Sequence, residues 1–191
     1  MPRSETRSFA AQSLIIGLTA VAAAEPTLAC VVGGVSATQT VADPGWGQGG
    51  GTDIAVVRLA QPVPQQAGRI SAQSGPVDTA TRIMGWGQTC PTPGGCALPT
   101  KLQQLDTKII SDVLCAGANF SADIRTYNPN HGGACFGDSG GPQVKLVNGQ
   151  WELIGVTSRP GGGWACGEAP SIYTDVPFYR QWINGQTRLN L

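Results

Sequence analysis

Glycine and proline punctuate this chain so often that few segments have room for a long helix: 27 Gly and 14 Pro are spread along 191 residues. Glycine carries the largest backbone entropy cost on ordering, and proline lacks the N–H that helices and inner strands need. What remains between them is a series of short apolar runs bounded by turns, the pattern of antiparallel strands. Segments 54–59, 81–86, 104–110, 142–147, 151–157 and 171–176 read as strands. In 104–110, Leu105, Thr107 and Ile109 share one face, and Asp106, Lys108 and Ile110 the other. One segment departs from this pattern. Over 177–183, Pro177 suits a first helical position and Phe178, Trp182 and Ile183 share a face, with Gly185 as the stop. The fold class expected is all-β with a C-terminal helix. Residues 36–52 are polar and glycine-rich and read as a loop, and 62–78 read as a linker rich in Pro, Gln and Ser.

Charge and targeting narrow the function classes. Twelve Lys and Arg balance twelve Asp and Glu, and no basic stripe runs along the chain, so neither nucleic acid nor an anionic membrane is expected as a partner. Residues 1–24 read as a secretory signal. Arg3 and Arg7 precede an apolar stretch over 13–24 that ends in Ala22-Ala23-Ala24 and is too short for a comfortable membrane span. A secreted, extracellular location follows, and with it disulfides among the six cysteines. Six cysteines allow fifteen pairings. Cys90 and Cys96 bracket a Pro-Thr-Pro-Gly-Gly turn and form the expected local pair. No Cys/His cluster has metal-site spacing, so no metal and no cofactor is expected.

The run Gly137-Asp138-Ser139-Gly140-Gly141-Pro142 carries the chemistry. Flanking glycines let the backbone turn sharply and let a substrate approach Ser139. Amides of Gly137 and Ser139 turned into one cavity would hold an oxyanion, and a single such donor is worth about 3–4 kcal/mol. A serine hydroxyl is nonetheless a weak nucleophile at neutral pH and needs a base. The chain has one histidine, His131, eight positions before Ser139.

The Gly137–Pro142 run resembles the nucleophile loop of the trypsin/chymotrypsin serine peptidases. Other segments share the resemblance: 52–59, reading TDIAVVRL; Gly85-Trp86-Gly87; Pro170-Ser171-Ile172-Tyr173 with the closing helix around Trp182; and Val31-Val32-Gly33-Gly34, similar to the family's mature N-terminus. The resemblance spans most of 31–35 and 52–188. It implies a trypsin-like antiparallel β-barrel for residues 79–191, complete and ending in the helix. It also implies a remnant of a first barrel over 31–61, the linker at 62–78, and a short propeptide-like spacer at 25–30 after the leader. The activity implied is serine-type hydrolysis of peptide bonds, with a protein or peptide as substrate or ligand. Ser139 would be the nucleophile, Asp53 the carboxylate that orients the base, and Gly137 and Ser139 the oxyanion hole. Cleavage before Val31 would free an ammonium group to pair with Asp138. The resemblance also pairs Cys135 with Cys166 beside a specificity pocket built from Gly133, Ala134, Pro160 and Ser171, which carries no acidic floor and suits an uncharged side chain. Arg159 replaces a tryptophan common in the family.

Two departures qualify this picture. The family carries its base in a segment reading roughly Thr-Ala-Ala-His-Cys between the mature N-terminus and the aspartate. Here Asp53 follows Val31 by only 22 positions, and no histidine lies between. His131 belongs by resemblance to a loop behind the pocket, on the wrong side to serve Ser139. In addition, the position expected to hold the partner of Cys115 is Arg125, which leaves Cys115 unpaired or joined to Cys30. Asn119-Phe120-Ser121 fits a glycosylation sequon. Three readings stand open: a peptidase whose sequence is incomplete, a non-catalytic relative that binds protein, and a decayed product that folds poorly.

Overall fold

The computed structural model describes residues 4–5, 14–16, 19–22, 31–32, 35–46, 52–64, 66–111 and 122–188. Their elements, in chain order, are β1 (Ser4–Glu5), β2 (Leu14–Ile16), β3 (Thr19–Ala22), β4 (Val31–Val32), β5 (Val35–Ala42), β6 (Ala55–Leu59), β7 (Arg69–Ile70), β8 (Ala80–Gly85), β9 (Gln103–Ile110), β10 (Asp123–Thr126), β11 (Pro142–Val147), β12 (Gln150–Pro160), β13 (Ser171–Asp175) and α1 (Arg180–Arg188). The cysteines Cys30 and Cys115 and the sequon at 119–121 lie outside the described residues.

Six strands close an antiparallel barrel in the order β8–β9–β10–β13–β12–β11 and back to β8, as the short-strand pattern and the resemblance led one to expect. Local chemistry sets parts of the register. Asn148 and Gly149 both adopt positive φ, +49° and +77°, and make the two-residue turn that joins β11 to β12 in the hand favoured by twisted strands. Inside the wall, the fully buried Gln143 donates from Nε2 to Thr81 Oγ1 and Thr126 Oγ1, both at 3.0 Å. One amide thus ties β11 to β8 and β10 with its polar atoms satisfied. Ile83, Ile109, Ile124, Ile154 and Tyr173 form one apolar cluster of the barrel.

A second sheet, β2–β3–β6–β5–β4, stands beside the barrel. Its strand β6 joins the two bodies, because buried residues face both ways. Ile54 and Val56 pack with Val144, Leu153, Val156, Val176, Tyr179 and Ile183 of the barrel and helix, while Val57 and Leu59 pack with Val35. The second sheet is therefore anchored through apolar burial, which is worth about 1.5–3 kcal/mol for each large aliphatic side chain fully covered.

Several elements differ from the sequence reading. Residues 35–42, mostly within the expected loop, form β5, paired with β6 from Ala37↔Leu59 to Ala42↔Ala55. Only one of its eight side chains is buried, so no apolar period marked it. Strand β10 has four buried residues, two of them charged, and charge masked it. Residues 62–78, read as a linker, hold the short β7, which lies parallel to β12. Residues 14–16 and 19–22, within the segment read as a leader, form two antiparallel strands, the second of which pairs with β6.

The helix begins three residues late and runs through Gly185, against the expected start at Pro177 and stop at Gly185. Residues 176–180 close two tight turns first, Tyr179 N–H to Val176 O and Arg180 N–H to Pro177 O. Asp175 Oδ1 accepts the Phe178 N–H at 3.1 Å and holds the entry. Gly185 inside the helix costs about 1 kcal/mol relative to Ala, which packing of Ile183 offsets. Arg180 secures the first turn by donating to the carbonyls of Ile70 (2.6 Å) and Ser71.

Burial pushes the Asp175 carboxyl above the ordinary carboxylate range, against lowering by the hydrogen bond from the Phe178 amide. A carboxyl whose folded pKa exceeds its unfolded one adds stability that is full below the unfolded value and is lost as pH rises through the folded value. We predict that Asp175→Asn, which keeps the acceptor for Phe178 but never ionises, gains stability relative to the native chain as pH rises from about 3 to 7. Urea denaturation at both pH values measures this, and a native-minus-variant difference that does not shrink with pH would refute it.

Candidate active site

Ser139 lies in a loop that runs from the short 3-10 turn Pro129–His131 to β11. Close backbone bonds fold this loop. Asp138 N–H meets Cys135 O at 2.9 Å, Gly141 N–H meets Asp138 O at 2.8 Å, and Gly140 N–H meets Thr157 O of β12 at 2.9 Å. The amide of Ser139 bonds to none of the described residues, and its side chain is exposed. Gly137 takes φ +93°, a conformation that L side chains rarely adopt.

Beneath the loop, the Asp138 carboxylate is buried, 4% exposed. Oδ1 accepts the Gly87 N–H at 2.8 Å and Oδ2 the Cys135 N–H at 2.9 Å. A buried carboxylate needs such charge-assisted donors to offset its lost hydration. The space it fills exists because residues 85 and 87 lack side chains. A Cβ on Gly85 would stand 1.9 Å from Asp138 Oδ1, and one on Gly87 would stand 2.4 Å from Cγ. Gly85-Trp86-Gly87 and Gly137-Asp138-Ser139 are thus two halves of one packing unit. Val31 lies in β4, paired with Ser36 of β5.

Asp53 stands just before β6, half-buried. Its Oδ2 accepts the Ser158 hydroxyl at 2.7 Å, and its backbone carbonyl accepts the Thr174 hydroxyl at 2.8 Å. Ser158 is the extra residue where the β12–β13 register slips between Thr157 and Arg159. A bulge of this kind re-aims a side chain, and here the hydroxyl meets Asp53. The network continues: Arg159 Nη1 donates to Ser158 Oγ at 3.0 Å, and its Nη2 donates to Asp123 Oδ2 at 2.5 Å. The Asp123 side chain in this ion pair is fully buried. Neither Ser158 nor Asp123 was legible as a site residue. Ser158 continues a strand of ordinary appearance, and Asp123 sits 36 positions from its partner Arg159.

A cavity of about 240 Å³ opens beside Ser139. Ala134, Pro160 and Ser171, expected in the pocket, line it together with Ser158 and Arg159. Gly133, the fourth, is buried, with the Asn128 side chain 2.5 Å from where its Cβ would stand, and does not line the cavity. The Cys135–Cys166 disulfide forms one wall, with Cα atoms 5.2 Å apart. Cys90 and Cys96 are also bonded, and their loop reaches the same wall through Cys166 N–H to Pro91 O at 3.0 Å. Two apolar side chains unsuspected from the sequence, Phe136 and Trp164, stand at the rim, both exposed. His131 is exposed and is not among the lining residues; its carbonyl lies where a Cβ on Gly167 would be, at 1.9 Å. Among the described residues no group of His, Cys, Asp and Glu is arranged to hold a metal ion.

We predict that Gly87→Ala forces the Asp138 carboxylate from its two amides and destabilises the chain by about 1–3 kcal/mol, the usual cost of overpacking. Urea denaturation compares it with Gly94→Ala, whose new methyl meets open space at a positive φ. Gly87 is not at positive φ, so its loss reports displacement of the carboxylate, and a loss smaller than that of Gly94→Ala, which is strained without a clash, would refute the prediction.

The family model described as Trypsin matches residues 25–183. Among curated proteins the chain is similar to chymotrypsin-like elastase family member 1 of Bos taurus, 34% identical, covering 82% of this chain and 64% of the relative. Glandular kallikrein of Sus scrofa is 31% identical, covering 69% and 56%. Trypsin epsilon of Drosophila erecta is 34% identical, covering 71% and 54%. The chain therefore spans less than two thirds of the length of these relatives.

Proposed function

Because the chain belongs to the trypsin family, we propose that it is a secreted serine peptidase relative that binds peptide beside Ser139 but turns it over poorly. One observation carries the reading: the orienting carboxylate Asp53 is held by Ser158 on the Ser139 cavity, yet the single histidine does not line that cavity. In this reading Ser139 is the nucleophile position, the Gly137 and Ser139 amides face the oxyanion, and Asp138 braces the loop. The cavity lined by Ala134, Pro160 and Ser171 takes one uncharged side chain of a peptide or protein ligand.

Proton accounting decides the turnover. Attack by the hydroxyl on an amide requires that its proton leave as the new bond forms. In an unrelated serine protease, loss of the histidine alone costs about a million-fold in turnover. Residual catalysis of about a thousand-fold over water needs an intact oxyanion hole and binding cleft. A fluorophosphonate probe tests this directly. Ser139 is expected to label orders of magnitude more slowly than the serine of an intact triad, and rapid stoichiometric labelling would sink the reading.

A second reading is an active peptidase whose base-bearing segment is missing from this sequence. The favourable setting of Asp53 and the short span relative to the relatives support it. Coding DNA around residues 35–52 that encodes a Thr-Ala-Ala-His-Cys segment would select it.

Secretion rests on the leader-like segment 1–24 and on two disulfides, which persist in oxidising compartments. Balanced charge supports neither a nucleic acid nor an anionic membrane as partner. Among the described residues no helix is long and apolar enough to cross a membrane. The leader reading makes a sharp demand on the sheet, because removal of 1–24 takes β3 away from β6. N-terminal sequencing of exported protein is expected to begin at Glu25 or beyond. A product that retains Leu14–Ala22 would show that β2 and β3 belong to the mature fold.

A further inference from the structure

Trp164 is 96% exposed at the rim of the Ser139 cavity. Its backbone is tightly placed. Glu168 Oε2 accepts the N–H groups of Trp164 at 3.0 Å and Ala165 at 3.2 Å. Gly163 takes φ +76°, and Glu168 Oε2 stands 2.6 Å from where its Cβ would be. Two residues on, Cys166 is bonded to Cys135, and at the base of the loop Gly161 N–H meets Pro170 O at 2.8 Å. The loop spends these constraints on holding an indole in water. Aromatic side chains of this size cover roughly 150–250 Å² when buried, so the indole has a large contact surface to offer.

The cavity states what it would cover. Ala134, Phe136, Pro160, Ala165 and Ala169 supply apolar lining. Among the described residues on the lining, Arg159 alone is charged, and its guanidinium is engaged by Ser158 and Asp123. No carboxylate among the described residues lines the cavity, so a cationic side chain there would lose hydration without a counter-charge. At about 240 Å³ the space accepts an aliphatic side chain of leucine size.

We propose that Trp164 is a specificity-determining residue, whose indole closes over an aliphatic side chain seated in the cavity beside Ser139. The inference rests on the reading of this cavity as a peptide site. Preorganisation explains how an exposed residue contributes. With the backbone fixed by Glu168 and the disulfide, binding orders only the two side-chain torsions of the indole.

Fluorescence anisotropy with the full chain tests it, in a Ser139→Ala background that prevents turnover. The probes are fluorescein-labelled tetrapeptide amides Ala-Ala-Ala-X, with X as Ala, Leu or Lys. The Leu peptide is expected to bind more tightly than the Ala and Lys peptides. Trp164→Ala should weaken the Leu peptide about tenfold, as expected for loss of an aromatic contact near 1.4 kcal/mol. It should leave the Ala peptide within about twofold, and Trp164→Phe should keep most of the Leu preference. Ala134→Leu, which fills the cavity from within, should abolish Leu-peptide binding. Thermal melts of every variant confirm folding. Should Ala134→Leu not fold, a blue shift in tryptophan emission on adding an unlabelled Leu peptide, lost in Trp164→Phe, reports the same contact. Unchanged Leu binding in folded Trp164→Ala, with loss in Ala134→Leu, would overturn the role of Trp164 and keep the cavity reading. No binding of any peptide by the native loop, or equal binding by folded Ala134→Leu, would overturn the cavity reading and the inference with it.

Discussion

The Asp138 carboxylate, buried between two glycines that leave it room, is the constraint on which the rest of the site depends. Its two oxygens are met by the amides of Gly87 and Cys135, so one group joins the end of β8 to the loop that carries Ser139. Any side chain at Gly85 or Gly87 would occupy the same volume. A charge in so enclosed a place is tolerable only with directed donors, and those donors fix the loop to within hydrogen-bond tolerance. From that fixed point the chain reaches back through Cys135 to the disulfide wall and forward through Gly140 and Gly141 to β12.

The second support is the route from Asp53 through Ser158 and Arg159 to Asp123. It crosses between the small sheet and the barrel beside the apolar seam of Ile54 and Val56. Apolar burial supplies the adhesion, and the polar route supplies direction, because hydrogen bonds lock geometry where hydrophobic contact does not. Arg159 turns its guanidinium toward a buried carboxylate, which leaves the cavity wall apolar in character despite a cation on its lining. The same strand therefore orients Asp53 and neutralises the pocket.

Legibility followed periodicity and motif. The barrel strands with alternating or continuous apolar residues, such as 142–147 and 171–175, stood out in the sequence because water sorts side chains by face. β5 was hidden because only one of its side chains is buried, and β10 because it buries two charges, Asp123, paired with Arg159 of β12, and Arg125, which donates to the Asp123 carbonyl on its own strand. The start of α1 was misplaced because Pro177 serves a tight turn capped by Asp175 rather than a first helical turn. At the site, the glycine-flanked serine and the two disulfide pairs were readable, whereas the bulge that aims Ser158 and the rim position of Trp164 were not.

The sequence alone determined the local chemistry of this protein: a serine between glycines, cysteines at spacings that can pair, strands cut short by turns, and the lack of any histidine between Val31 and Asp53. Those properties belong to neighbouring residues and survive without a fold. Tertiary structure alone decided which distant groups meet. Asp53 finds Ser158 across 105 positions, and Asp138 finds Gly87 across 51. Such contacts form only when the barrel closes and excludes water, since burial is what makes each hydrogen bond costly to leave unmade.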